Sequence, residues 1–130
     1  MRGKLTIFCE RADIFIDTEW MGKMDPFVTF TQTQTEGIAP FKHETAVQKS
    51  AGKKPIWKET FDIAVTNMDL KLTVHLQDYE GMKTHDDLGK FDITPREFMK
   101  NPAPTNFRAF IGPKNTSVLY MTGTWVPDRI

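Results

Sequence analysis

Apolar and polar side chains alternate along many short segments of this chain, and this alternation constrains the fold more than any other feature. Successive side chains of a β-strand point to opposite faces, so each such segment can bury one face and expose the other. Residues 69–77 show the pattern most clearly, with apolar residues at Leu70, Leu72, Val74 and Leu76. The same pattern predicts eight strands, near residues 4–12, 26–33, 41–48, 58–66, 69–77, 88–94, 105–111 and 117–126. Eight short strands separated by turns predict an all-β fold, an eight-stranded antiparallel β-sandwich.

One short helix is expected near residues 95–100. Thr94 is a suitable N-cap, Pro95 suits the first helical position, and Glu97 stands three residues after the cap. This is the sequence signature of a capping box. The pair Asn101-Pro102 then ends the helix, because the residue before a proline disfavours helical geometry.

Length and charge limit the classes of protein to which the chain can belong. With 130 residues, it fits a single domain over residues 1–130. Its 17 basic and 17 acidic residues cancel, which argues against a nucleic-acid-binding domain, because such domains are usually basic. Cys9 is the only cysteine, so no disulfide can form within the chain and a cytoplasmic location is favoured. No apolar run is long enough to span a bilayer, so we expect any membrane contact to be peripheral.

Acidic residues concentrate in two of the predicted connections between strands. Carboxylates crowded together repel each other unless a cation lies among them. Several carboxylate oxygens on loops are the ligands that Ca²⁺ takes. The alternative is that both connections are ordinary solvated turns. The acids of the first connection are Asp17, Glu19 and Asp25, and those of the second are Asp78, Glu80, Asp86 and Asp87.

Three runs of sequence resemble the C2-domain family. Residues 22–28 (GKMDPFV) are similar to the exit of that family's first calcium loop. Residues 54–61 (KPIWKETF) resemble its Pro-x-aromatic-x-Glu-x-Phe strand entry, and residues 78–89 (DYEGMKTHDDLG) resemble its third loop. The runs occur in the family's order and spacing, and the resemblance extends from Gly3 to about Trp125. It implies a C2-like sandwich with calcium loops at one end. Because the first predicted strand leads straight into the first acidic connection, it also implies the phospholipase-type (type II) topology.

The resemblance also implies a set of calcium ligands. The family usually has Asp at all five ligand positions, so the two glutamates depart from its pattern and put the geometry and affinity of the site in question. Asp17 is an alternative to Glu19 if the loop is reshaped. The implied ligands are Glu19, Asp25, Asp78, Glu80 and Asp86.

Apolar residues beside these acids predict membrane contact. In a C2-like domain the loop tips reach the lipid headgroups, where tryptophan and tyrosine are favoured. Alternatively, Trp20 folds back on the sandwich or contacts a protein partner. The predicted membrane-contact residues are Trp20, Met21, Met24, Tyr79 and Met82.

A basic face is predicted on the third and fourth strands and their connection. The net charge over residues 42–59 is +3, and lysines near an anionic leaflet attract the membrane. The alternative is a solvated surface on which the lysines point in several directions. The lysines are Lys42, Lys49, Lys53, Lys54 and Lys58.

Taken together, these patterns predict a cytoplasmic peripheral membrane module that binds Ca²⁺ and docks to anionic phospholipid. The alternative is a calcium-independent C2-fold module that binds protein or lipid. An enzyme is not expected, because no candidate nucleophile or base accompanies the acidic loops. Cys9 falls on an inward strand position, where a free cysteine behaves as a small apolar residue.

Overall fold

The computed structural model describes residues 2–15, 24–32, 40–81, 86–100, 105–111 and 115–128. All eight predicted strands and the predicted helix are present in it. In chain order the elements are β1 (Gly3–Ile14), β2 (Pro26–Gln32), β3 (Phe41–Glu44), β4 (Ile56–Val65), β5 (Leu72–Asp78), β6 (Asp86–Ile93), α1 (Pro95–Lys100), β7 (Thr105–Ile111) and β8 (Asn115–Pro127).

Two strands, β3 and β5, lack several residues that the alternation predicted. β3 ends at Glu44 instead of residue 48, although the chain beyond it stays beside β2: Thr45 donates its amide to the carbonyl of Val28 at 2.9 Å, and Gln48 donates to that of Pro26 at 3.0 Å. β5 begins at Leu72 instead of residue 69, because a turn precedes it. In that turn the amide of Asp69 donates to the side chain of Asn67 at 2.9 Å. Asparagine commonly stabilises turns in this way.

The strands form two antiparallel sheets that pack as a C2-like sandwich. The first sheet has the order β3-β2-β5-β6 and the second has the order β7-β8-β1-β4. Among the described residues, a single paired position, Lys90 with Phe110, joins them along the ladder between β6 and β7. The inward faces of both sheets supply the core, and the rings of Phe30 and Phe61 lie 4.7 Å apart across it. This burial is the main stabilising contribution to such a fold.

The strand order agrees with the expected phospholipase-type topology. β1 leads into the connection that carries the first acidic run, and β8 returns to pair with β1 over its whole length, from Gly3 opposite Pro127 to Ile14 opposite Ser117. As a result, the C-terminal end of β1 and the start of β2 lie at the same end of the sandwich as the end of β5. We call this the acidic end.

The helix α1 has the predicted cap. The side chain of Glu97 accepts hydrogen bonds from the amide of Thr94 at 3.2 Å and from its hydroxyl at 3.1 Å. Phe98 is 2% exposed and packs directly over Gly123 of β8. Phe98 therefore packs the helix against the second sheet.

Candidate calcium and membrane site

Three of the five predicted calcium ligands lie on neighbouring strand ends at the acidic end. Asp25 immediately precedes β2, Asp78 is the last residue of β5, and Asp86 is the first residue of β6. In the ladders, Asp78 is opposite both Pro26 and Asp86. The antiparallel pairing therefore brings together residues that are far apart in sequence.

Asp25 and Asp78 are joined by hydrogen bonds. The backbone amide of Asp25 donates to Oδ1 of Asp78 at 2.8 Å, and the amide of Tyr79 donates to the carbonyl of Asp25 at 3.0 Å. The side chain of Asp78 is completely buried. A buried carboxylate is costly unless hydrogen bonds or a cation compensate for its lost hydration. The strand ends thus hold this acid in a fixed place.

The connection between β3 and β4, residues 45–55, also reaches this site. The amide of Ser50 donates to Oδ1 of Asp25 at 2.6 Å. Ser50 has a φ of 56°, in the left-handed region, and this turn directs its amide at the carboxylate. Sequence reasoning missed this contact, because nothing in the pattern of residues shows which backbone amide will face Asp25.

The remaining predicted ligands are only partly described. Glu80 follows β5 and is half-buried. Glu19 and Asp17 lie outside the described residues, as does the side chain of Asp86. Among the side chains that the structure does describe, no three His, Cys, Asp or Glu residues are close enough to hold a metal ion. Asp25 and Asp78 nonetheless supply carboxylate oxygens, and this donor chemistry fits Ca²⁺.

His75 contacts the second acidic run. Its Nε2 lies 2.9 Å from Oδ1 of Asp87, and the same oxygen accepts the amide of Gly89 at 3.0 Å. Just here the register between β5 and β6 shifts, so that Leu76 faces Gly89 but Gln77 faces Asp87. The contact therefore helps to fix the start of β6, where Asp86 stands. No pattern in the sequence indicates it, because the pairing depends on this bulge.

Of the predicted membrane-contact residues, the structure shows one, Met24, to be buried and another, Tyr79, to be exposed. Met24 is 1% exposed and belongs to the core, because the chain turns inward as it enters β2 and the carbonyl of Met24 accepts the amide of Gly52 at 3.0 Å. We therefore remove Met24 from the contact surface. Tyr79 is 42% exposed, and its ring forms a T-shaped contact with that of Phe27, with the centroids 6.1 Å apart. Trp20, Met21 and Met82 lie outside the described residues.

The five lysines of the predicted basic face are all exposed but do not share one sheet. Lys42 lies on β3 and forms an ion pair with Glu44 at 3.4 Å. Lys58 lies on β4, at a bulge where its φ is 53°. These two strands are the outermost strands of different sheets. The other three, Lys49, Lys53 and Lys54, lie on the 45–55 connection at the acidic end.

Two exposed apolar residues at the same end were missed by sequence reasoning. Phe15, directly after β1, is 59% exposed, and Ile56, the first residue of β4, is 53% exposed. The alternation of β1 could have indicated the exposure of Phe15. Arg11 and Asp13 occupy outward positions of that strand, and Phe15 is the next residue on the same side.

Cys9 occupies the predicted inward position and has no solvent exposure. Burial, together with the nearby negative charge of Glu59, raises the pKa of its thiol from 9.0 to about 12. The thiol is therefore protonated at neutral pH and unsuited to act as a nucleophile.

Comparison with known proteins identifies the family and the fold. Residues 3–109 match the sequence profile of the C2 domain. Tricalbin-1 of the yeast Saccharomyces cerevisiae is 23% identical over 113 residues, which is 86% of this chain but only 9% of Tricalbin-1.

Solved structures show the same fold. The first C2 domain (domain A) of plant Extended Synaptotagmin 1 has a TM-score of 0.79 at 18% identity, and the match covers 98% of this chain and 97% of that domain's chain. The calcium-bound pair of C2 domains, A and B, of Extended-Synaptotagmin 2 has a TM-score of 0.77 at 22% identity. That match covers 95% of this chain and 45% of the other chain. Human GIVD cytosolic phospholipase A2 has a TM-score of 0.73 at 16% identity. That match covers 95% of this chain but only 16% of the phospholipase chain.

A β-sandwich with acidic residues at the ends of its strands is typical of a binding module. Since the family profile matches most of its residues, this chain belongs to the C2 domain family. C2 domains are non-catalytic modules that generally bind membranes. In the described residues, no helix is both long and apolar enough to cross a bilayer.

Proposed function

We propose that this chain is a peripheral membrane module of the cytoplasm that binds Ca²⁺ at the acidic end and docks to anionic phospholipid. The observation that carries the proposal is the convergence of Asp25, Asp78 and the backbone of Asp86 on adjacent strand ends. The proposed ligand set is completed by Glu80 and Glu19, with Asp17 as the alternative to Glu19.

Each part of the acidic end has a role in this proposal. Asp25 and Asp78 provide carboxylates whose negative charge repels an anionic leaflet. When bound, Ca²⁺ supplies the positive charge that removes this repulsion and coordinates phosphate oxygens. Tyr79 is exposed beside these acids and contributes an aromatic ring suited to the headgroup region. Trp20, Met21 and Met82 are proposed to add apolar contact from the neighbouring loops.

Vesicle sedimentation tests the proposal. The full chain is mixed with vesicles of phosphatidylcholine and phosphatidylserine, either with calcium or with a chelator. We expect more protein on the vesicles with calcium, and no calcium effect in the Asp78→Asn variant. Asp128→Asn is the matched control, because it removes the same charge from an exposed residue at the opposite end. A wild-type chain whose binding ignores calcium would overturn the calcium part of the proposal.

One observation favours the alternative, a C2 module that acts without calcium. Asp25 and Asp78 each accept a backbone amide, at 2.6 Å and 2.8 Å, so hydrogen bonds already compensate part of their charge. A protein-binding module of this kind would bind neither calcium nor vesicles in the same assay.

A further inference from the structure

The strand β4 lies at the outer edge of the second sheet. Among the described residues, it forms a ladder with β1 on one side and with no strand on the other. From Glu59 to Val65 that ladder is regular, opposite Cys9 to Gly3. An edge strand presents backbone amides and carbonyls that can pair with a strand of another molecule. The free edge of β4 is therefore a candidate interaction surface.

The outward side chains of β4 are arranged in a symmetrical order. All five are exposed, whereas the residues between them are buried or half-buried. Lys58 forms no ion pair with any other described residue, so its charge is available to a partner. Asp62 is held in position, because its Oδ1 accepts the hydroxyl of Thr6 at 2.7 Å. In chain order, the outward residues are Ile56, Lys58, Thr60, Asp62 and Ala64.

A second copy of β4 matches these side chains in one antiparallel register. When Thr60 stands opposite Thr60, Lys58 of each copy stands opposite Asp62 of the other, and such cross-strand pairs of opposite charge are stabilising. Only every second register keeps outward residues opposite outward residues. Registers that place Lys58 opposite Lys58, or Asp62 opposite Asp62, bring like charges together. The two registers next to the matching one leave both charges opposite neutral residues. Charge complementarity therefore selects the register centred on Thr60.

The same register is complementary in shape. It places Ile56, which is 53% exposed, opposite Ala64 of the other copy. Ala64 lines a hollow of about 470 Å³ together with Lys4 and Thr66. Each strand therefore has a projecting apolar side chain at one end and a small residue beside a hollow at the other. A two-fold symmetric interface requires this arrangement, because the same surface of both copies must fit itself.

The bulge at Lys58 makes the edge selective. Lysines and bulges commonly protect edge strands from unspecific pairing, and Lys58 combines both features, with a φ of 53°. A foreign strand without a matching acid would leave this lysine opposite an uncharged or basic residue. The second copy instead supplies Asp62, so the occupant that fits this edge is the chain itself.

We propose that two copies of this chain associate by antiparallel pairing of their β4 strands, with Thr60 at the two-fold axis. The two second sheets then join into one sheet with the order β7-β8-β1-β4-β4-β1-β8-β7. Antiparallel pairing reverses the strand direction, so the acidic ends of the two copies point in opposite directions. This association depends on neither calcium nor lipid.

Analytical ultracentrifugation of the full chain tests the charge pairing. Wild type should change from monomer to dimer between micromolar and millimolar concentrations. Lys58→Glu and Asp62→Lys should each weaken dimerisation by roughly tenfold or more, because each turns two attractive pairs into two repulsive ones. An equimolar mixture of these two variants should dimerise again, since every reversed charge then faces an opposite charge in the mixed dimer. The control is Lys71→Glu, a reversal at an exposed position outside β4, which should dimerise as wild type does.

A disulfide tests the register. Thr60→Cys places the introduced thiols of the two copies opposite each other, with about 4.5–5.5 Å between Cα atoms, a distance that a disulfide can span. Mild oxidation should therefore produce a covalent dimer. Ala64→Cys is the matched control and should produce far less, because Ala64 faces Ile56 in this register. The native Cys9 is fully buried and does not compete.

Three results would each overturn the proposal. Wild type could remain monomeric at millimolar concentration. The mixture of Lys58→Glu and Asp62→Lys could fail to dimerise although circular dichroism shows both variants to be folded. Ala64→Cys could cross-link as fully as Thr60→Cys. Because Thr60→Cys leaves both charged residues intact, its result also stands if Asp62→Lys does not fold.

Discussion

Oδ1 of Asp78 accepts the backbone amide of Asp25 at 2.8 Å, so two predicted calcium ligands are coupled before any ion binds. Asp78 is completely buried, and its hydrogen bond joins the end of β5 to the start of β2. This residue therefore has a structural role as an acceptor in addition to its proposed role as a ligand. The two roles depend on different properties of the carboxylate, namely an oxygen lone pair and a negative charge.

Substitution of Asp78 separates these roles. Asp78→Asn keeps an oxygen acceptor and removes a charge from the cluster, so metal-free stability should be retained or increased. Asp78→Ala leaves the amide of Asp25 without its acceptor and should lower the free energy of unfolding by about 1–3 kcal/mol. Both variants should lose any stabilisation by calcium. Chemical denaturation with and without calcium measures all three effects, and equal destabilisation by both variants would contradict the division of roles.

The two glutamates at ligand positions predict weak calcium binding. We expect a dissociation constant for calcium of about 10⁻⁴ M or weaker for the chain alone, which is the range of weak calcium-binding modules. Calcium should raise Tm by mass action. Glu80→Asp restores the family's residue and should tighten binding, as measured by calorimetric titration. The corresponding control is Glu44→Asp, a change on an exposed strand position away from the site. If millimolar calcium produces neither heat of binding in the titration nor a shift in Tm, the proposed calcium site is wrong.

Gly123 should tolerate no side chain. A Cβ built there would collide with the ring of Phe98, which fixes α1 to β8. Gly123→Ala should therefore lower the free energy of unfolding by about 1–3 kcal/mol, the usual cost of overpacking. Gly81→Ala is an informative comparison, because among the described residues nothing lies within 4 Å of a Cβ built there, while its φ of 64° opposes the change. Phe98→Leu should restore part of the stability that Gly123→Ala loses. If it does not, the collision with Phe98 is not the cause of that loss.

Cys9 should react with thiol reagents only when the chain unfolds. Its thiol is buried, and its pKa is raised from 9.0 to about 12, so the folded state favours the protonated form. A raised pKa contributes stability that is fully present below pH 9 and is lost as the pH rises toward 12. Labelling with Ellman's reagent at about pH 8, below the ordinary thiol pKa, should follow the unfolding rate. Fast labelling under native conditions, in a chain that remains folded by circular dichroism, would contradict the burial.

The fold could be predicted almost completely from local patterns. Alternation located all eight strands, and the Thr94–Glu97 spacing located the helix, because these signals depend on neighbouring residues alone. The site could be predicted only in part. The contact between Ser50 and Asp25 joins segments that no local pattern relates, and the pairing of His75 with Asp87 depends on a bulge. Met24 was misassigned because a methionine before a strand can face either solvent or core, and tertiary packing decides between them.

Tyr79 provides the sharpest test of membrane contact among the described residues. It is 42% exposed and stands directly after Asp78, so docking through the acidic end would bring its ring to the leaflet. Tyr79→Ala should weaken calcium-dependent vesicle binding by about 1 kcal/mol, whereas Tyr79→Phe should retain most of the affinity because the ring remains. Val126→Ala controls for the loss of an exposed apolar side chain at the opposite end. Tyr79 also packs against the ring of Phe27, so Tm must be measured on each variant. A fall in Tm with unchanged vesicle affinity would show that the ring serves only this packing, and membrane docking would then have to depend on residues other than Tyr79.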